Sequence, residues 1–146
     1  MPVRVMGIDL GTRRIGLAVS DAGGRLATPA GFVERTGDRA RDHALLAAAV
    51  AGAEAEAVVV GLPLSLSGAT GPAARTALEE IELLREALGV PVHTQDERFT
   101  TVTAARALRE GGGRGARNRR RPRGAVDEAA AAVLLQTWLD AGPARR

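Results

Sequence analysis

The fold is decided by the segment VRVMGIDLGTRRIGLAV, residues 3–19. From Val3 to Asp9 its side chains alternate between two faces, and residues 15–19 repeat the alternation with Ile15, Leu17 and Val19, so both stretches are predicted strands. Only GTRR separates them, which is short enough for a hairpin turn. Asp9 falls on the same predicted face as Val3, Val5 and Gly7. The chain therefore opens with an antiparallel strand pair that carries an acid at the end of its first strand.

Strand and helix patterns alternate through the rest of the chain. Strands are predicted at 30–34, 57–61 and 90–94, and helices at 38–50, from Pro72 to Gly89, from Thr100 to Glu110, and at 126–141. The expected apolar faces are Ala74, Leu78, Ile81, Leu84 and Leu88 in the second helix, and Ala130, Val133, Leu134, Thr137 and Ala141 in the last. This order predicts an α/β fold with a mixed five-stranded sheet, an antiparallel meander followed by β/α units, and helices on both faces. We expect one domain over residues 1–146, with a short tail at 142–146.

Composition excludes several classes of protein. The chain has no cysteine, which rules out disulfides, thiolate metal sites and a cysteine nucleophile, and it has only two histidines. Of these, His93 lies in a predicted strand and is expected to be a packed side chain. Two phenylalanines, one tryptophan and no tyrosine leave no row of aromatics for base stacking. No secretion signal or membrane span is evident, so a cytoplasmic protein with no membrane partner is expected.

The basic residues are unevenly distributed. All 20 are arginines, against 17 acids. Six of them, with no acid, lie within residues 111–125, which leaves the remainder with 14 basic and 17 acidic residues. The six are Arg114, Arg117, Arg119, Arg120, Arg121 and Arg123. Glycines and Pro122 among them predict a mobile loop, which is either a solvated segment or a surface for an anionic polymer.

Acids follow several of the predicted elements. Asp9 ends a strand between glycines, where a buried carboxylate needs a cation or hydrogen bonds. Asp96 and Glu97 follow the strand predicted at 90–94, and in extended chain their side chains point to opposite faces, so only one of them can share a site with Asp9. Asp127 and Glu128 lie about 100° apart on the last helix, so again one looks inward. Oxygen ligands without His or Cys suit Mg²⁺ or Mn²⁺, and with the nearby arginines they favour phosphodiester hydrolysis in nucleic acid.

Other residues are placed to contact phosphate. They are Thr12, Arg13 and Arg14 at the hairpin turn, Ser65 in the loop GLPLSLSG, and Arg98 and Thr100 beside Glu97. For each of them an ordinary turn, cap or surface ion pair remains open as an alternative.

Four blocks, taken together and in this order, resemble the YqgF/RuvX family of Holliday-junction resolvases, also described as nucleases that process precursor ribosomal RNA. They are MGIDLG running into IGLAVSD (6–11 and 15–21), VVGLPL (59–64) with Gly68 and Gly71, DERFTT (96–101) and VDEAAAAVLL (126–135). GIDLGT alone opens other folds as well, but the full set covers nearly the whole length.

The resemblance implies an RNase H-like fold with catalytic, metal-holding carboxylates at Asp9, Glu97 and Asp127. It also implies nucleic acid as the partner, with processing of the 5′ end of precursor 16S rRNA favoured over branched DNA, in a monomer or weak homodimer that could meet ribosomal precursor particles. Ala130 and Ala131 stand where many RNase H-like nucleases carry a fourth acid, so a second metal is expected to be weakly held or to be completed by substrate phosphate. Two other classes stay open: a non-catalytic RNA-binding maturation factor, and an actin-like or sugar-kinase-like ATP-binding domain. The second would need another domain of comparable size.

Overall fold

A computed structural model describes residues 3–63, 71–97 and 125–142. Within them the strands are β1 (Val5–Leu10), β2 (Arg14–Ser20), β3 (Ala27–Glu34), β4 (Ala57–Leu62) and β5 (Val92–Asp96). The helices are α1 (Arg39–Gly52), α2 (Pro72–Leu88) and α3 (Ala125–Asp140). The helix predicted from Thr100 to Glu110, the arginine-rich segment and most of the tail lie outside the described residues.

The five strands form one mixed sheet in the order β3-β2-β1-β4-β5. β1 and β2 pair antiparallel, as do β2 and β3, whereas β4 runs parallel to both β1 and β5. The predicted meander followed by β/α units is therefore confirmed. β3 begins at Ala27, three residues earlier than predicted, because Pro29 is tolerated on an edge strand where its missing N–H breaks no further ladder.

Helices cover both faces of the sheet, as predicted. Met6 and Ile8 pack with Leu46 of α1 and Leu84 of α2 in one core. Val5 and Val59 point the other way and pack with α3 in a second core. The alternation predicted for β1 is thus correct, and it assigns Asp9 to the α3 face.

The buried faces of two helices agree with the prediction only in part. The residues buried as predicted are Ala74, Ile81, Leu84 and Leu88 in α2, and Ala130 and Leu134 in α3. In α3 the residues packed on the sheet are Ala131, Leu135, Trp138 and Leu139, while Thr137 and Ala141 are only half-buried. Apolar side chains surround most of α3, so its periodicity does not single out one face. In α2, Leu78 is exposed and Glu80 is buried. The buried carboxylate of Glu80 is stabilised by hydrogen bonds with Arg35 and His43.

Candidate active site

The candidate site is centred on Asp9, near the carboxyl end of β1. Asp9 pairs across the sheet with Gly16 of β2, and it lies one residue beyond the Ile8–Val60 pair, level with Gly61 of β4. Neighbouring strands are about 4.8 Å apart, so the carboxylate stands between two residues that have no side chain. Asp9 is only 1% exposed.

The position of Gly16 is covered by the start of α3. A Cβ on Gly16 would strike the carbonyl oxygen of Asp127, so only glycine lets the helix come this close. Asp127 is buried, and it precedes Ala131 and Leu135 on the sheet-facing side of α3 at helical spacing. Since Leu135 packs over Gly7, the helix runs back along β1 and brings its first turn to Asp9.

The position of Gly61 is covered by Glu97, the residue that follows β5. A Cβ on Gly61 would lie 2.5 Å from Oε1 of Glu97, so the glutamate side chain occupies the space that a larger residue would fill. Glu97 is buried, whereas Asp96 is half-buried. Of the two acids, Glu97 is the one that lies in this row.

Three buried acids therefore belong to one row of the sheet: Asp9 in the middle, the Glu97 side chain over Gly61, and Asp127, whose backbone lies over Gly16. An all-oxygen set of this kind suits a hard divalent cation such as Mg²⁺ or Mn²⁺. The two glycines allow Glu97 and the start of α3 to come close to Asp9. Within the described ranges, however, no three or more His, Cys, Asp or Glu side chains are spaced so that they could hold an ion as they stand. The row supplies suitable ligands rather than a closed coordination sphere.

Glu128 lies outside this row. Its Oε2 accepts a hydrogen bond from the backbone N–H of Gly31 at 2.6 Å, which attaches α3 to the edge strand β3. Gln136, about two helical turns further on, accepts a hydrogen bond from Ala27 N–H and donates one to Arg25 C=O. Of the pair that opens α3, Asp127 is therefore the residue that faces the row.

The three residues of the hairpin turn that are predicted to contact phosphate have different surroundings. Thr12 and Arg13 are exposed, but Arg14 forms an ion pair with Glu34 at 3.8 Å and lies over the ring of Phe32. His93, predicted to be packed, has its ring 5.1 Å from that of Trp138. Ser65, Arg98, Thr100 and the six arginines of the basic segment lie outside the described residues.

Sequence reasoning missed a buried charged cluster on the opposite face of the sheet. Arg35 donates from both Nη atoms to Glu80 at 2.8 and 3.0 Å, and His43 Nε2 lies 2.8 Å from the same carboxylate. Burial raises the pKa of Glu80, but the hydrogen bonds from Arg35 and His43 outweigh it and hold that pKa below its usual value. The signal was the spacing: Glu80 precedes Leu84 and Leu88 by one and two helical turns, and His43 precedes Leu46 and Val50.

The mixed five-stranded sheet with helices on both faces is an RNase H-like fold. The Thermus thermophilus RuvC structure in complex with a Holliday junction substrate superimposes with a TM-score of 0.56 at 22% identity, covering 95% of this chain and 94% of that one. A second T. thermophilus RuvC structure gives a TM-score of 0.54 at 20% identity, with 95% of each chain covered. At this level of identity the likeness concerns the fold.

Sequence relatives identify the family within that class. A protein of Mycobacterium sp. (strain KMS) named "Putative pre-16S rRNA nuclease" is 46% identical over 138 residues, which are 94% of this chain and 79% of the relative. A protein of the same name in Rhodococcus opacus (strain B4) is 48% identical over 141 residues, 94% of this chain and 77% of that one. The model of the family described as "RuvX: Holliday junction resolvase" matches residues 3–141. The chain belongs to this RuvX family of nucleases.

Proposed function

We propose that the protein is a divalent-metal-dependent endonuclease that cleaves phosphodiester bonds at the 5′ end of precursor 16S rRNA. The observation that carries the proposal is the buried row of Asp9, Glu97 and Asp127. Burying three carboxylates costs several kcal/mol each unless a cation or hydrogen bonds compensate for it. Acids would also repel a polyanion that was bound without a cation. The choice of precursor 16S rRNA as the substrate is supported by the names of the relatives.

The residues of the row have distinct parts in this mechanism. Asp9, Glu97 and Asp127 would hold the cation, which when bound lowers the pKa of a water molecule and stabilises charge on the scissile phosphate. Gly16 and Gly61 let the start of α3 and the side chain of Glu97 come close to Asp9. The first turn of α3 brings the positive end of a helix dipole to the same place, and this favours both the carboxylates and the phosphate. The basic segment before α3 would hold the strand.

Resolution of Holliday junctions is the second candidate, because the matching family carries that description. Junction resolution requires two active sites related by symmetry, so it predicts a stable dimer in solution. Precursor RNA cleavage does not require one. We favour cleavage of precursor RNA. In this proposal a monomer or weak homodimer acts in the cytoplasm on ribosomal precursor particles.

One experiment tests the proposal and separates the candidates. The purified protein is incubated with end-labelled RNA that spans the 5′ end of precursor 16S rRNA, with single-stranded DNA and with four-way junction DNA, each in Mg²⁺, Mn²⁺ or EDTA. We expect cleavage of the RNA with either metal and none in EDTA. Preferred, symmetrical cleavage of the junction would instead establish the resolvase. RNA binding without cleavage under any condition would overturn the nuclease and leave a binding factor.

A further inference from the structure

A cavity of about 630 Å³ lies on the other face of the sheet, at the carboxyl end of β1. The turn after β1 forms one wall through Gly11 and Thr12, and the first turns of α2 form another through Ala73 and Thr76. Arg35, which directly follows β3, and Arg39, the first residue of α1, complete the lining together with the buried Glu80. None of the three carboxylates of the candidate active site lines this cavity.

The side chain of Arg35, which lines the cavity, is held in place by three hydrogen bonds. Besides its two bonds to Glu80, Arg35 donates from Nε to the carbonyl of Gly11 at 2.9 Å. Glu80 is held in turn by His43, and both are buried. A guanidinium has five N–H groups, so three are used here and two remain for a further acceptor. Because the group is already held in place, little side-chain entropy is lost when it binds that acceptor.

The charges around the cavity favour an anion. Arg35 and Glu80 offset each other, and Arg39 adds a cation that forms no ion pair within the described part of the chain. The hydroxyls of Thr12 and Thr76 add hydrogen-bonding groups. Arginines bind phosphate oxygens in pairs of parallel hydrogen bonds, and pockets of about 300–1,000 Å³ are usual for small ligands.

We propose that this cavity is a subsite that binds one nucleotide of the substrate strand, with its phosphate on Arg39 and Arg35. The inference rests on the proposed function, because the strand is what brings the nucleotide there. Thr12 follows Asp9 by three residues and so lies within about 10 Å of it along the chain. That is about the rise of three nucleotides in a strand. A strand cleaved at the row of carboxylates could therefore bend over the end of β1 into the cavity.

Two neighbouring arginines of α1 provide a matched test. Arg39 lines the cavity and Arg41 does not, although both are exposed in the first turn of the same helix. Binding of fluorescein-labelled single-stranded RNA is measured by anisotropy in EDTA, so that no cleavage occurs, over a series of salt concentrations. We expect Arg39→Ser to weaken binding about 10-fold and to reduce the salt slope by about 0.7, the value for one phosphate on a single strand. Arg41→Ser should change neither.

A second pair of variants tests the effect of filling the cavity without a change of charge. Ala73→Trp places a large side chain at its wall, and Ala44→Trp places the same side chain on the exposed face of α1, away from the cavity. Only Ala73→Trp should weaken RNA binding. Equal losses in both arginine variants, or full binding by Ala73→Trp, would overturn the subsite. So would AMP binding that depends on Arg39 while RNA binding does not, because the cavity would then serve a free nucleotide.

The same proteins, assayed with Mg²⁺, separate this proposal from the nuclease assignment. If wild-type protein cleaves no substrate but the two pairs of variants still differ in RNA binding, the subsite stands and the proposed reaction fails. If wild-type protein cleaves RNA and the pairs do not differ, the reaction stands and the subsite is wrong.

Discussion

Asp9 lies between Gly16 and Gly61, so its carboxylate has no neighbouring side chain on either strand to replace it. We expect Asp9→Asn to reduce cleavage at least about 100-fold, because the amide keeps the shape but loses the charge that holds the cation. Circular dichroism and thermal unfolding should match wild type. A folded Asp9→Asn protein with full activity would contradict the assignment of this residue.

The two adjacent acids after β5 give a test of orientation. Glu97 is buried over Gly61 and Asp96 is half-buried, so we expect Glu97→Gln to lose nearly all cleavage and Asp96→Asn to keep most of it. Initial rates on the same RNA substrate, measured over a Mg²⁺ titration, distinguish the two. Equal losses would mean that both acids serve the site.

The space above Gly61 can be tested directly. Gly61→Ala would place a Cβ 2.5 Å from Glu97 Oε1, which is the movable end of a side chain. We expect cleavage to fall sharply while the free energy of unfolding drops by about 1 kcal/mol, the low end for overpacking. Gly52→Ala, at the end of α1 with nothing within 4 Å, is the matched control and should leave cleavage unchanged. Wild-type activity in Gly61→Ala would show that Glu97 is not needed in this position.

Among the elements, α1, α2 and the turn after β1 are joined through Glu80. Its pKa lies below the ordinary value of 4.5, since the bonds from Arg35 and His43 outweigh burial. A carboxylate with a lowered folded-state pKa stabilises the protein above its unfolded pKa and loses that effect as pH falls through the folded one. Wild type should therefore exceed Glu80→Gln in free energy of unfolding by about 2–3 kcal/mol at pH 7, and by much less near pH 3.

Urea denaturation at both pH values measures this difference. Glu79→Gln is the control, because Glu79 is exposed on the same helix and should show no such gap. A constant difference from pH 7 to about pH 3 would mean that the charge of Glu80 contributes nothing beyond its packing.

Element by element, the sequence predicted best where one physical pattern dominates. Strict alternation placed Asp9 on the correct face of β1, and Pro72 and Gly89 marked the ends of α2. The pattern failed where burial depends on partners from elsewhere in the chain. Helical spacing puts Glu80 on the buried side of α2, but the charge is stable there only because Arg35 and His43, both distant in sequence, bind it. Because apolar side chains surround α3, the sequence did not determine which side of this helix faces the sheet. In the structure that side is the one that packs over Gly7 and Gly16.

At the scale of the whole molecule, charge separates into two parts. Outside residues 111–125 the chain carries 14 basic and 17 acidic residues, and within them six arginines and no acid. In the described residues no helix is long and apolar enough to cross a bilayer. The acidic body holds the candidate cation ligands. Association with a polyanion is therefore expected to depend on the arginines of residues 111–125 and on the proposed nucleotide subsite lined by Arg39.

The arginines of the segment, which lies outside the described residues, can be tested as a group by the dependence of binding on salt. Each phosphate contact releases condensed counterions, so log K falls linearly with log salt, by about 0.7 per phosphate on a single strand and about 0.9 on a duplex. Replacing Arg119, Arg120 and Arg121 together with Ser should weaken binding across unrelated sequences and flatten the slope by about two to three units. Metal affinity, measured by titration of the same proteins, should not change, because the three carboxylates remain. An unchanged slope would mean that the segment is a solvated loop and that the strand is held elsewhere.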